Sequence, residues 1–139
     1  MAQKNLVVFL DTSALYALHD ATDAHHSAAK RILARLTEEG ALLHTHEWVA
    51  LETLQLVRKR LGPALSVRAS RLFLGNPALT LHFVDSSWWR EILNRYSAKP
   101  ALGLTDLASF SLMERLDITR AFAFDADFEA AGFQLEKAD

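Results

Sequence analysis

Short β-prone runs alternate with longer stretches of helical composition along this chain, and that alternation limits its architecture more than any other feature. Residues 5–10, 41–44, 79–84, 120–124 and 133–135 read as strands, and Leu6–Leu10 is an unbroken apolar run. Helices are expected over 12–19, 23–39, 46–61, 64–74, 86–97, 105–116 and a short stretch near 126–131. Within them Ile32, Leu33 and Leu36, and again Leu107, Ala108, Leu112 and Leu116, follow the spacing of one helical face. Gly40, Gly62-Pro63, Gly75-Asn76-Pro77, Pro100, Gly103 and Gly132 supply the turns between them. Parallel strands need crossover segments long enough to hold a helix, and strands buried on both faces read as continuous apolar runs. The expected fold is therefore α/β: a three-layer α/β/α arrangement with a mainly parallel central sheet of about five strands.

With 139 residues, half of them hydrophobic and 23% charged, the chain can bury a real core and is read as one domain over 1–139. No apolar run approaches the roughly 20 residues that span a bilayer. The first residues lack the basic, apolar, then small pattern of an export signal. No cysteine is present, which excludes disulfides and thiolate metal sites and agrees with an expected cytoplasmic location, without membrane association. The net charge of −2 does not announce a nucleic-acid binder, but its distribution is uneven. From Thr53 to Val84 there is no acid, while Arg58, Lys59, Arg60, Arg68 and Arg71 all fall inside. Such asymmetry can set a basic patch for an anionic partner beside an acidic site.

The acids stand at particular places. Asp11 follows the first strand in "FLDTSALYAL", Asp85 follows "LTLHFV", and Asp125 follows "AFAF". Glu52 lies in "THEWVALETL" and Asp106 follows "GLT", both at or near helix starts. Strand C-termini of a parallel sheet line one edge, where open α/β folds keep their ligands. Asp11 and Asp125 would meet there, and helices entering from that edge would bring Glu52 and Asp106 close. Two readings stay open on these residues alone. Each Asp can cap a helix, with the dipole worth about 0.3–1 kcal/mol. Together they can form an oxygen-only cage of the kind that suits Mg²⁺ or Mn²⁺.

"FLDTSALYAL", "WVALETL", "LTDLASFSLM" and "AFAFDADFEAAGF" resemble, in order and spacing, the four motif regions of PIN-domain ribonucleases. The resemblance runs nearly end to end and is strongest toward bacterial VapC-type toxins and their solitary relatives. It implies four catalytic, metal-binding acids: Asp11, Glu52, Asp106 and Asp125. Thr12 and Ser13 match the hydroxyls after the first acid, Thr105 matches the small hydroxyl before the third, and Asp127 is a supporting neighbour of the fourth. Ala123 departs from the pattern, since a Thr or Ser often stands there and could hydrogen-bond near Asp125.

What the resemblance implies is hydrolysis of phosphodiester bonds in single-stranded or looped RNA, dependent on Mg²⁺ or Mn²⁺. Carboxylates alone would repel a phosphate, so bound cations must first invert the local charge. Arg58, Lys59 and Arg60 are candidates for holding RNA phosphates. Trp48, Trp88 and Trp89 offer rings for stacking bases, with core or interface packing as the plainer expectation. His44, His46 and His82 could form a thiolate-free zinc site only if His46 belongs to the strand, whereas it is expected in the following helix. His25 and His26, after Asp23, suggest a capping or surface role. The expected partners are RNA, an antitoxin protein if the chain is a toxin, and a second copy in a homodimer. A haloacid-dehalogenase-type phosphatase would need an acid where Ser13 stands, and a receiver domain would need an acidic pair after strand one. The remaining alternative is a PIN-fold binding module without catalysis.

Overall fold

Leu6–Leu10 lies at the centre of the molecule, as a run apolar on both sides should. The computed structural model describes residues 6–138, so the first residue of the strand expected over 5–10 lies outside the described residues. The chain runs β1 (Val7–Leu10), α1 (Thr12–His19), α2 (His26–Glu38), β2 (Leu42–His46), α3 (Glu47–Leu61), α4 (Pro63–Ser70), a 3-10 turn (Arg71–Phe73) and β3 (Leu79–His82). It continues through α5 (Ser86–Ala98), α6 (Leu104–Arg115), β4 (Arg120–Phe122), α7 (Asp127–Ala130) and β5 (Gln134–Leu135). All four strand pairings are parallel, in the order β3-β2-β1-β4-β5.

Alternate residues of β1 point to opposite faces of the sheet. Val8 and Leu10 share a buried cluster with Leu15 of α1 and with Ile32 and Leu36 of α2. Phe9 faces the other way, 5.9 Å from the ring of Phe128 in α7, which in turn meets Phe110 of α6 at 5.1 Å. Helices thus cover both faces, giving the three layers. In α6 every residue from Leu107 to Met113 is buried.

β3 and β4 each end two residues short of the expected strands, and other boundaries depart from the sequence expectation as follows. α2 begins at His26 rather than near 23, because Asp20 and Asp23 accept backbone N–H groups two residues on and hold successive turns. β2 extends to His46, which pairs with His82 across the ladder and also caps α3. The helix expected over 64–74 is divided, α4 giving way to the 3-10 turn at Arg71.

Sheet order positions the site. From β1 the chain steps outward to β2 and β3, then returns past both to place β4 on the other side of β1. Such a reversal opens a crevice beyond the carboxyl ends of the two diverging strands. Here those strands are β1 and β4, with Leu10 level with Phe122.

Candidate active site

Asp11 is the residue between β1 and α1, and its backbone N–H donates to Phe122 O of β4 at 3.1 Å. It does cap α1: its Oδ2 accepts from Ser13 N at 3.2 Å and from Ser13 Oγ at 2.7 Å. The capping reading is correct for Asp11 and incomplete, because the same carboxylate lines a cleft of about 530 Å³. Asp125 reaches that cleft from the end of β4, Asp106 from the first turn of α6, and Glu52 from the middle of α3. Thr12, Ser13, Leu56 and Thr105 complete most of its wall.

Ser13 fastens the two strand ends together. Its hydroxyl donates to Asp11 and accepts from Phe124 N at 2.9 Å. The hydrogen bond that Ala123 cannot supply near Asp125 is thus replaced by one to the next residue, from across the crevice. Asp125 Oδ1 accepts from Asp127 N at 2.9 Å, turning the chain so that Asp127 comes back toward the cleft. One carboxylate oxygen from each of Asp106, Asp125 and Asp127 lies within 4.8 Å of the other two. Asp127, expected only as a neighbour's support, is thus brought within the same reach of Asp106 and Asp125.

Charge accumulates here without compensation. Asp106 is not a cap, since Gly103 holds that position and no side chain caps α6. Burial, then the carboxylates of Asp11, Asp125, Asp127 and Glu52, push its pKa up to about 7. Burial likewise raises Asp11, with the Ser13 hydrogen bonds opposing and Asp125 adding to the rise. The Thr12 Oγ is buried in the same wall and has no hydrogen-bond partner among the described residues. Crowded carboxylates and an orphaned hydroxyl, all oxygen, are the donor set that a hard divalent cation prefers. The residues present fit such an ion.

Other candidates fall elsewhere. Asp85 stands after β3, at the far edge of the sheet, and caps α5 by accepting from Trp88 N at 2.8 Å; it is a cap and nothing more. Arg58, Lys59 and Arg60 occupy the exposed last turn of α3 and do not line the cleft. Arg60 lies 5.0 Å over the ring of Tyr16. Lys59 falls seven residues after Glu52, on the same stripe of the helix and about 10 Å along it.

The histidines do not make a zinc site. Among the described residues the one cluster with the reach to share a metal ion is the aspartate group. His44 Nδ1 and His82 Nε2 are 2.8 Å apart and share a hydrogen. His46 is fully buried, its Nδ1 accepting from Val49 N at 3.4 Å and its Nε2 lying 2.9 Å from Ser109 Oγ. Ser109 Oγ in turn donates to Thr105 O at 2.9 Å, so His46 Nε2 must carry the proton. Burial first, then the charge of His82, holds the His46 pKa down at about 3, and the ring stays neutral. Sequence reasoning missed its role: His46 ties the start of α3, which carries Glu52, to the start of α6, which carries Asp106. His25 stacks on Phe124 at 4.4 Å, and His26 Nδ1 meets Ala17 O at 2.6 Å, in keeping with structural roles.

Comparison with known proteins adds four findings. The family model described as "PIN domain" matches residues 8–134. The chain is 34% identical over 131 residues to the 23S rRNA-specific endonuclease VapC20 of Mycobacterium tuberculosis, covering 91% of this chain and 95% of that one. The crystal structure of M. tuberculosis VapC20, described as a sarcin-ricin loop cleaving toxin, superposes with a TM-score of 0.82 at 30% identity, over 91% of this chain and 95% of that chain. A crystal structure of VapBC2 from Rickettsia felis, bound to a promoter DNA fragment, shares the fold at a TM-score of 0.69 and 15% identity, over 96% of this chain and 100% of that one.

Proposed function

This chain belongs to the PIN-domain family, and from that premise we propose that it is a metal-dependent endoribonuclease acting as the toxin of a toxin–antitoxin pair. The observation that carries the reading is the convergence of Asp11, Glu52, Asp106 and Asp125 on one cleft at the topological switch point. Asp127 joins them as a fifth carboxylate. These acids, with the Thr12 hydroxyl, would hold Mg²⁺ or Mn²⁺, which when bound supplies charge inversion for the phosphate and Lewis acidity for the attacking water and leaving oxygen.

The protein's own groups do the rest. Ser13 holds the Asp11 carboxylate in place and pins the end of β4, so that Asp125 stays opposite it. His46 and Ser109 keep the Glu52 and Asp106 helices in register. Thr105, in the cleft wall, has its carbonyl engaged by Ser109 and leaves its hydroxyl for a phosphate oxygen. Lys59, one stripe along α3, is placed for a flanking phosphate. RNA loops are the substrate class favoured by the activity of the M. tuberculosis relative, because unpaired nucleotides can enter a small open groove. The expected protein partner is an antitoxin, and a homodimer is the expected assembly.

The alternative, a binding module without catalysis, is the weaker reading. A purely structural cluster would not keep Asp106 half-buried among like charges with no side-chain hydrogen bond among the described residues to repay its desolvation.

The test is cleavage of end-labelled single-stranded and hairpin RNA with Mn²⁺ or Mg²⁺, beside EDTA and Asp11→Asn. Cutting should need both the metal and Asp11, with the variant down at least about 100-fold, roughly the loss of one transition-state contact. An Asp11→Asn protein that cuts at the wild-type rate would remove Asp11 from the mechanism.

A further inference from the structure

Beside the acidic cleft lies a second depression of about 340 Å³, walled by Trp48, Leu51, Glu52 and Gln55 of α3, Trp89 of α5, and Leu104 and Thr105 of α6. Glu52, Leu104 and Thr105 line both, so the two depressions adjoin. The three tryptophans have separate fates. Trp88 is core, 3% exposed, its indole N–H donating to Ser111 Oγ at 3.0 Å. Trp89 remains 44% exposed, and Trp48 stands at 87° to it with ring centroids 5.3 Å apart. Trp48 is held from behind by the His46 ring at 6.3 Å. Leu51, 57% exposed, extends the apolar wall.

We propose that this depression receives one unstacked nucleobase of the RNA, next to the phosphate held at the acids, with Trp89 stacking on it, Trp48 meeting it edge-on and Gln55 reading its edge. The proposal deepens the ribonuclease reading and rests on it. Single-stranded RNA is bound largely by stacking bases on aromatic side chains beside a backbone-tracking groove. The wall here has both parts of a base's chemistry: aromatic faces for the ring, and at one end a primary amide that can donate and accept. Gln55 is exposed and, among the described residues, its amide has no hydrogen-bond partner, so both its donor and its acceptor are open to a ligand. An apolar side chain from a protein partner would use the tryptophans and leave that amide unpaired.

Helical geometry strengthens the link. Trp48, Glu52, Gln55 and Lys59 are spaced four, three and four residues apart, which places them on one stripe of α3. One helical face thus presents, in order, an aromatic wall of the depression, a candidate metal ligand, a base-edge reader and a candidate phosphate contact. A strand of RNA laid along α3 would meet these in register.

The experiment uses whichever RNA the wild-type protein cuts, synthesised with an abasic ribose at each position around the cut in turn. Cleavage is followed in single turnover for the wild type, Trp89→Ala, Trp89→Phe and Gln55→Ala, after circular dichroism has shown each variant folded. At one position the missing base should weaken binding of the wild type about 5- to 150-fold, the factor that 1–3 kcal/mol of stacking represents. Trp89→Ala should cause a similar loss on intact RNA and almost none on that abasic strand, and Trp89→Phe should restore most of it. Gln55→Ala should change which base is preferred there. If the two losses multiply at every position, Trp89 touches no base and the proposal is overturned. It is also overturned if Trp89→Ala cuts normally but changes the oligomeric state, which would make the patch a protein interface. If the wild type cuts no RNA at all, the ribonuclease reading fails, and the pocket's assignment fails with it.

Discussion

At Asp106 the fold holds a half-buried carboxylate among four others, and its pKa rises from 3.8 to about 7. Without metal, the native state therefore binds more protons than the unfolded chain between those values. The stability this group contributes is full below about pH 4 and is lost as the pH rises through 7. His46 acts in the opposite sense, its pKa lowered from 6.5 to about 3. Its contribution is full above about 6.5 and is lost as the pH falls toward 3. Over the shared window the two slopes oppose, and the wild-type stability curve is flattened. Asp106→Asn removes one slope and keeps the other. In EDTA at about pH 8 the variant should melt a few degrees above the wild type, on the order of 1 kcal/mol after allowing for solvent screening at a half-exposed group. The gap should close near pH 4. Millimolar Mn²⁺ should lift the wild type and leave the variant unmoved. A variant that melts lower than the wild type at pH 8 would mean that contacts, not repulsion, dominate at Asp106.

Between elements, the site depends on two small hydroxyls. Ser13 joins the end of β1 to the end of β4, and Ser109 joins α6 to His46 at the junction of β2 and α3. Ser13→Ala leaves the Phe124 N–H without its acceptor and removes the hydroxyl donor to the Asp11 carboxylate, which keeps only the Ser13 backbone N–H. It should cost about 1–3 kcal/mol in urea denaturation and lower cleavage more than stability alone explains. Unchanged cleavage at full folding would show that the strand ends hold their spacing without Ser13. Elsewhere the elements read clearly from sequence. The apolar run at β1 and the helical spacing of Ile32, Leu33 and Leu36 led directly to a strand and a helix. The strand expected over 41–44 is there, but its continuation to His46 was not legible, because Thr45 and His46 are polar by type yet buried in the strand, each satisfied by a specific partner. Periodicity carries no record of such pairings.

Across the whole molecule, the uneven charge becomes a spatial one. The basic end of α3 continues the helix face that bears Glu52, so a chain of net charge −2 can still present cations beside its acidic cleft. Once cleavage has identified an RNA, its affinity should fall with salt, and Lys59→Ala should reduce that log–log slope by about 0.7, the value of one released counterion on a single strand. Arg60→Ala should reduce it less, because Arg60 lies over Tyr16. Equal slopes for Lys59→Ala and the wild type would take Lys59 off the RNA path. At the opposite edge, Glu136 is buried between Arg120 and Arg35 and fastens the chain's end beside β5.

The sequence by itself determined the alternation of strands and helices, the parallel sheet, and the four acids placed after strands or on helices that follow them. These are local or periodic properties, and local chemistry writes them directly into residue order. Which acids meet was decided by tertiary structure. Asp11, Asp85 and Asp125 each follow a strand and look equivalent along the chain. Strand order alone sets β4 against β1 and sends β3 to the edge, making Asp125 a partner of Asp11 and leaving Asp85 a cap. The same return of the chain brings in Asp127 and sets Trp48 against Trp89. Those contacts join residues far apart in sequence, and they exist only because packing of the two helical layers selects one arrangement of the sheet.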